Sequence, residues 1–234
     1  MVYTLEYSFY KDNPEIFCQS MWIPDTNFNQ IRSGRNNFQV FQEIVKKAGM
    51  DQNQIAWAEQ VHGCEIKNVN SAGLFKNCDG LITSNSKIGL AIRTADCAAV
   101  MVYDPVQKVI ANFHVGWRGA RLGIISRGIQ NLQEKYYSKP QDLLISISPF
   151  IRACCYRVGP EFHQYFAPKY IRHYQGFLYL DLRKIILDQL LIAGCEKTQI
   201  DWCDHCVFCH SDGYPSFRRT KTFNRIIHII KREE

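Results

Sequence analysis

Apolar residues follow two periodicities along this chain. Phe38, Phe41, Ile44, Val45 and Ala48 recur at helical spacing, and Gly49 follows them as a C-terminal stop. Residues 97–103 (CAAVMVY) and Val109–Val115 (VIANFHV) are short apolar runs rich in β-branched side chains, with Asp104-Pro105 between them. That pattern predicts two strands joined by a turn. Leu122, Ile125, Ile129, Leu132 and Tyr136 mark one face of a helix expected to open just after Gly119. Residues 143–147 (LLISI) read as a buried strand. Asp181 is a plausible N-cap for a helix carrying Leu182, Ile185, Ile186, Leu190 and Ala193, closed by Gly194. Strands and helices intersperse without a strict βαβ cadence, which predicts a mixed α/β or α+β fold.

Size and composition support a real core. For 234 residues and 27.2 kDa, the folded surface should be roughly 11,000 Å² against about 39,000 Å² for the extended chain. Aromatic residues make up 13% and neither glycine (14) nor proline (8) is in excess, which excludes intrinsic disorder. A single unit spanning residues 1–234 is expected, since α/β chains of this length often form one domain. The net charge of +6 is spread out, apart from clusters such as Arg218-Arg219-Thr220-Lys221 and Lys231-Arg232. There is neither a basic stripe nor a groove-reading motif, so a nucleic-acid partner is not expected, and a phosphate-bearing small molecule fits the surplus as well. No apolar run approaches the ~20 residues of a membrane span. The segment Met1-Val2-Tyr3-Thr4-Leu5 lacks the features of a signal peptide. The ten cysteines therefore read as cytosolic thiols and the location as cytoplasmic, with metal ligation or catalysis as their minority roles.

Three segments place soft ligands among glycines and strand ends: Gln60-Val61-His62-Gly63, Thr94-Ala95-Asp96-Cys97 and His114-Val115-Gly116-Trp117-Arg118-Gly119. Two imidazoles and a thiolate make a zinc set, and three protein ligands leave a fourth position open, as a catalytic site requires. The ligands are 35 and 17 positions apart, so only the fold can bring them together. The alternative is a buried strand cysteine with two core histidines that satisfy backbone groups. Farther on, Cys203-x2-Cys206-x2-Cys209, flanked by His205 and His210, looks like a metal knuckle, with ordinary buried thiols as the default. The seven histidines of the chain are too few for a blue-copper site plus a trinuclear cluster, which need roughly ten imidazoles.

QVHG, DGLIT (79–83), TADC, HVGWRG, CCYRVG (154–159) and SFRR (216–219) occur here in one order. That order resembles the YfiH family, also called the laccase-domain or multicopper polyphenol oxidase family and now regarded as purine nucleoside phosphorylases. The resemblance spans roughly residues 55–230. It implies a layered α/β/β/α single domain with mixed sheets, similar to the catalytic domain of the cytotoxic necrotizing factor toxins. It implies metal ligation by His62, Cys97 and His114, with zinc or copper as the metal. It also implies phosphorolysis of adenosine, inosine and methylthioadenosine, together with adenosine deamination. A metal lowers the pKa of water toward neutrality, the chemistry that deamination at purine C6 needs. Asp96 could carry the proton or could be a strand-end hydrogen-bonding residue. Arg118, Arg218 and Arg219 are candidate phosphate binders, since guanidinium matches paired oxygens. A Cys97 nucleophile activated by His62 or His114, as in a hydrolase that edits peptidoglycan precursors, and a copper-binding polyphenol oxidase are the competing functions. The partners expected are a nucleoside and phosphate, with the chain acting as a monomer.

The sequence also departs from the family pattern. Ser148, Arg152 and Arg157 stand where glycine, glycine and glutamate are usual. TADC continues Ala98-Ala99-Val100 where a proline is usual, and Phe217 replaces a tyrosine. The glycine-rich R-x-GGVS stretch common near family N-termini is missing. If the loop at 148–159 lines the pocket, these changes alter its polarity.

Overall fold

The computed structural model describes residues 2–11, 13–23, 37–47, 49–210 and 213–233. Among the described residues the strands, in chain order, are β1 Tyr3–Glu6, β2 Ile16–Trp22, β3 Ile55–Ala58, β4 Ile66–Asn68, β5 Gly73–Phe75, β6 Gly80–Thr83, β7 Gly89–Thr94, β8 Ala98–Asp104, β9 Val109–Val115, β10 Leu144–Ile147, β11 Arg157–Val158, β12 Ile171–Tyr174, β13 Phe177–Leu180, β14 Ile200–Trp202 and β15 Ile226–Arg232. The helices are α1 Ser8–Lys11, α2 Asn37–Lys47, α3 Trp117–Arg121, α4 Ile124–Tyr136, α5 Leu182–Ile192 and α6 Phe217–Thr220.

Two six-stranded mixed sheets form the body, in the orders β1-β2-β15-β7-β3-β5 and β14-β10-β8-β9-β6-β4, with a small β11-β13-β12 sheet beside them. Three apolar layers show how they stack. Phe41, Ile44 and Val45 of α2 pack on Met21, Ala91, Ile227 and Ile229 of the first sheet. Leu90, Ile92 and Ile230 of that sheet meet Ala99, Met101, Tyr103 and Ile110 of the second. Val100, Val102, Ala111 and Phe113, on the opposite face of the second sheet, pack against Ile125, Ile129 and Leu132 of α4 and Ile185, Ile186 and Leu190 of α5. The order is α/β/β/α, in agreement with the fold class expected.

This stacking explains the unbroken apolar runs. Both faces of β8 and β9 are covered, so every residue in each is buried and no polar alternation is called for. The two strands pair antiparallel, Val100 opposite Phe113. Asp104 makes the turn between them by accepting the N–H groups of Val106 and Gln107 at 2.8 and 2.9 Å. Asp181 caps α5 as expected, accepting from the Lys184 N–H at 3.1 Å, and Gly194 ends that helix at φ +94°. Gly49 likewise stops α2 at φ +74°, while Ala48 and the side chain of Phe38 lie outside the described residues.

One expectation needs correction. The helix carrying Ile125, Ile129 and Leu132 does not open after Gly119. Residues 117–121 make a separate short helix, Leu122 ends it with its side chain exposed, and Gly123 at φ +76° redirects the chain into α4. The break is positional: it leaves the whole GWRG segment at the end of β9, beside the site described next.

Candidate metal centre

His62, Cys97 and His114 converge. One donor atom from each lies within 4.8 Å of the other two, with His62 exposed, Cys97 half-buried and His114 buried. His114 is the penultimate residue of β9, Cys97 immediately precedes β8, and His62 sits in the loop between β3 and β4. The β8–β9 pairing places the first two side by side, Ala98 lying opposite Val115. His62 is brought in by its neighbours. The Gln60 side chain donates to the Arg93 carbonyl at 2.7 Å and accepts from the Arg93 N–H at 2.9 Å, which ties the loop to β7.

Asp79 is the hub of this loop. Fully buried, it accepts from the N–H groups of Val61, His62 and Gly63 at 3.3, 2.9 and 2.7 Å, and from His114 Nδ1 at 2.7 Å. Those donors fix the backbone of one ligand and the ring of another, and they leave His114 Nε2 for a metal. Burial alone would raise the Asp79 carboxyl, but His114 and the N–H groups of Gly63 and Val61 outweigh it and hold it low. In the sequence Asp79 is simply the first residue of DGLIT. The signal available was an acidic residue directly ahead of an apolar strand.

The glycines of these motifs are close approaches. A Cβ on Gly116 would stand 3.0 Å from Cys97 Sγ, and one on Gly119 would stand 2.8 Å from the Gly63 carbonyl. Trp117 between them packs on Phe162 and stacks on Tyr165, anchoring α3. Burial by itself would raise the Cys97 thiol; His114 and His62 reverse this and bring it down to about 6. Burial likewise pulls His114 down, and Cys97 and Asp79 raise it to about 9. A stable thiolate, an oriented imidazole and an exposed third ligand fit a soft divalent cation with an open position.

The remaining sequence candidates sit around this trio. Asp96, at φ +87°, accepts from Ser216 Oγ at 2.6 Å and from the Arg218 N–H at 2.8 Å, so both of its oxygens serve to hold the start of α6. Arg218 is exposed and lies over the Tyr156 ring at 4.7 Å. Arg118 is exposed over Trp117 at 4.3 Å. Arg219 turns inward and donates to the carbonyls of Val207, Phe208 and Tyr214 at 3.2, 3.1 and 2.5 Å, the contacts of a loop anchor. Tyr156 was passed over in the sequence, although CCYRVG contains it. It is buried within electrostatic reach of Cys97, Asp96, Arg118 and Arg218, and burial with the negative charge of Cys97 pushes its hydroxyl pKa well up.

The departures from the family pattern have separate physical accounts. Ser148 is fully buried, and its Oγ accepts the Ala99 N–H at 2.9 Å. A glycine at Ser148 would have no oxygen to receive that N–H, and a proline at Ala99 would have no N–H to give. Arg152 donates to the Cys203 carbonyl and to Asp204 at 3.0 and 3.3 Å. Arg157 is exposed, its guanidinium 3.5 Å from the centre of the Phe177 ring. Cys203, expected to share a knuckle with Cys206 and Cys209, is buried apart from them. The other histidines lie elsewhere: His163 faces His173, His205 stacks on His210 at 3.6 Å, and His228 is buried between Ser20 and Thr94.

This layered fold, with a two-histidine, one-cysteine centre at the strand ends, matches a known family. The model of the multi-copper polyphenol oxidoreductase laccase family matches residues 33–233, and the chain belongs to that family. Its curated relatives carry a different name. It is 31% identical over 152 residues to the purine nucleoside phosphorylase of Aquifex aeolicus, covering 65% of this chain and 69% of that one. It is 30% identical over 195 residues to the purine nucleoside phosphorylase YlmD of Geobacillus stearothermophilus, covering 75% of this chain and 71% of that protein. The crystal structure of YlmD superposes with a TM-score of 0.76 at 27% identity, over 82% of this chain and 78% of that one. The Bacillus licheniformis hypothetical protein YfiH shares the fold, with a TM-score of 0.82 at 23% identity over 94% of both chains.

Proposed function

We propose that this protein is a zinc-dependent purine nucleoside phosphorylase that cleaves adenosine, inosine or methylthioadenosine with phosphate to base and sugar 1-phosphate, and that the same site deaminates adenosine. The observation that carries this reading is the convergence of His62, Cys97 and His114 with His62 open to solvent. The relatives named purine nucleoside phosphorylase supply the substrate class.

In this reading Cys97 binds the metal as a thiolate and His114 through the nitrogen that Asp79 leaves free, while His62 binds from its exposed loop. When bound, the metal supplies Lewis acidity and a lowered pKa for water. Arg118 and Arg218 bind phosphate oxygens, because they are exposed and their charge is not neutralised by a carboxylate ion pair with N–O contact within 4.0 Å among the described residues. Tyr156 lies beneath Arg218 and within electrostatic reach of Cys97 and Arg118. The engagement of both Asp96 oxygens supports a positioning role, holding Arg218, over that of a proton carrier. Arg219 acts as the loop anchor behind them.

Product analysis tests the reading. Adenosine incubated with phosphate should give adenine and ribose 1-phosphate, and without phosphate it should give inosine. Nucleosides left intact by zinc-loaded protein under both conditions would overturn it. The same donor set accepts copper, so the assay is run with each metal.

A second reading rests on the depressed Cys97 thiol, at about 6, which a nucleophile would also need. Iodoacetamide separates the two roles. A ligand is protected by zinc, whereas a nucleophile is alkylated at the same rate with zinc present.

A further inference from the structure

Four cysteines meet in the segments around Tyr156 and Tyr214. The Sγ atoms of Cys154, Cys155, Cys206 and Cys209 all lie within 4.8 Å of one another. We propose that they form a second metal site, a closed tetrathiolate holding one zinc ion as a structural cross-link, separate from His62, Cys97 and His114.

Geometry is the first argument. Zinc–sulfur bonds of about 2.3 Å in a tetrahedron place the sulfurs roughly 3.8 Å apart. The Cys154 and Cys209 sulfurs stand 3.8 Å apart, nearly twice a disulfide bond of about 2.05 Å. The local backbone is the second. The Arg152 N–H donates to the Cys206 sulfur at 3.4 Å, so the backbone of the loop that carries Cys154 and Cys155 already faces that sulfur. Exposure is the third. A thiol that only fills a core is buried, yet Cys154 and Cys209 are exposed.

The site would join two loops that already touch. Phe150 bridges Cys206, and the Val207 N–H donates to the Phe150 carbonyl at 3.3 Å. The first loop leads into Tyr156, and the second leads through Tyr214 to Ser216 and Arg218. A cross-link here would therefore tie together the two segments that carry Tyr156 and Arg218. Zinc with four thiolates carries two negative charges, and Arg157, Arg218 and Lys221 line the same depression as Cys155, about 460 Å³ in volume. Each thiol that ligates gives its proton to solvent, and no electron transfer is involved.

The test is metal content together with cysteine labelling of the full chain purified with zinc. Two zinc ions per chain are expected in wild type, one in Cys97→Ala and one in the double variant Cys154→Ser/Cys209→Ser. Cobalt substituted into Cys97→Ala should show the strong charge-transfer absorption of four thiolates. If the double variant does not fold, wild type answers alone. N-ethylmaleimide should label Cys154 and Cys209 at least tenfold faster after chelation than in zinc-loaded protein, with each site read by peptide mass. Equal labelling rates, a single zinc that the double variant retains, or a Cys154–Cys209 disulfide in the native protein would each overturn the proposal.

Discussion

His114 Nδ1 lies 2.7 Å from Asp79 Oδ1, and the same carboxylate also accepts the backbone N–H groups of His62 and Gly63. One buried acid thus sets the ring of one ligand and the loop of another. Asp79→Asn keeps the shape but loses the charge, and zinc affinity should fall roughly 10–100-fold. Competition with a chromophoric chelator measures this, and an unchanged affinity would show that the acid only stabilises the fold.

Gly119→Ala changes no ligand, but its Cβ would stand 2.8 Å from the Gly63 carbonyl. The loop carrying His62 must move to admit it. Zinc affinity should drop by about tenfold while the other two ligands stay in place. Isothermal titration of the stripped protein reads this directly.

Ser148 and Ala99 should behave as a coupled pair. Ser148→Gly leaves the buried Ala99 N–H without its acceptor and should cost about 1–3 kcal/mol. Adding Ala99→Pro removes that orphaned donor, so the double variant should be more stable than additivity allows, by about 1 kcal/mol or more. Urea unfolding of the four proteins in the cycle decides it, and strict additivity would refute the coupling.

Stability should carry an acid limb from His228. Burial, with the charge of His114, pulls its pKa down to about 3. Below the ordinary value near 6.5, the unfolded chain binds a proton that the folded one refuses, so stability rises with pH across that window. The slope contributed is at most about 1.4 kcal/mol per pH unit. Urea midpoints from pH 4 to 7 should show a shallower slope in His228→Gln than in wild type, whatever the variant's absolute stability.

If Arg218 binds phosphate, Arg218→Ala should raise the KM for phosphate tenfold or more and leave phosphate-independent adenosine deamination nearly unchanged. Equal losses in both reactions would make Arg218 a structural residue instead.

Strands β8, β9 and β10 and helices α2, α4 and α5 were legible because the second sheet is covered on both faces, which leaves continuous apolar runs, and because Asp104, Asp181 and Gly194 punctuate them with specific backbone chemistry. The strands of the first sheet carried no such run in the sequence reading. The break at Gly123 was not, since Leu122 continues the apolar spacing although its side chain is exposed. The three candidate ligands stood out as residue types, but their convergence depends on the β8–β9 register and on the clamp between Gln60 and Arg93, which involve partners far apart in sequence. Asp79 carried only the weak signal of an acid ahead of an apolar strand and Tyr156 carried none, while the spacing of Cys206 and Cys209 pointed to Cys203 rather than to Cys154 and Cys155, the partners the fold supplies. Their roles come from burial and from what folds against them.

The central claim is that His62, Cys97 and His114 hold a catalytic metal. Protein stripped by a chelator and titrated with zinc, with adenosine turnover in phosphate read at each step, tests it most directly beside Cys97→Ala. The account predicts activity that rises with zinc in wild type and stays absent in the variant at every zinc level. Full turnover by the stripped protein, or by zinc-loaded Cys97→Ala, would contradict it.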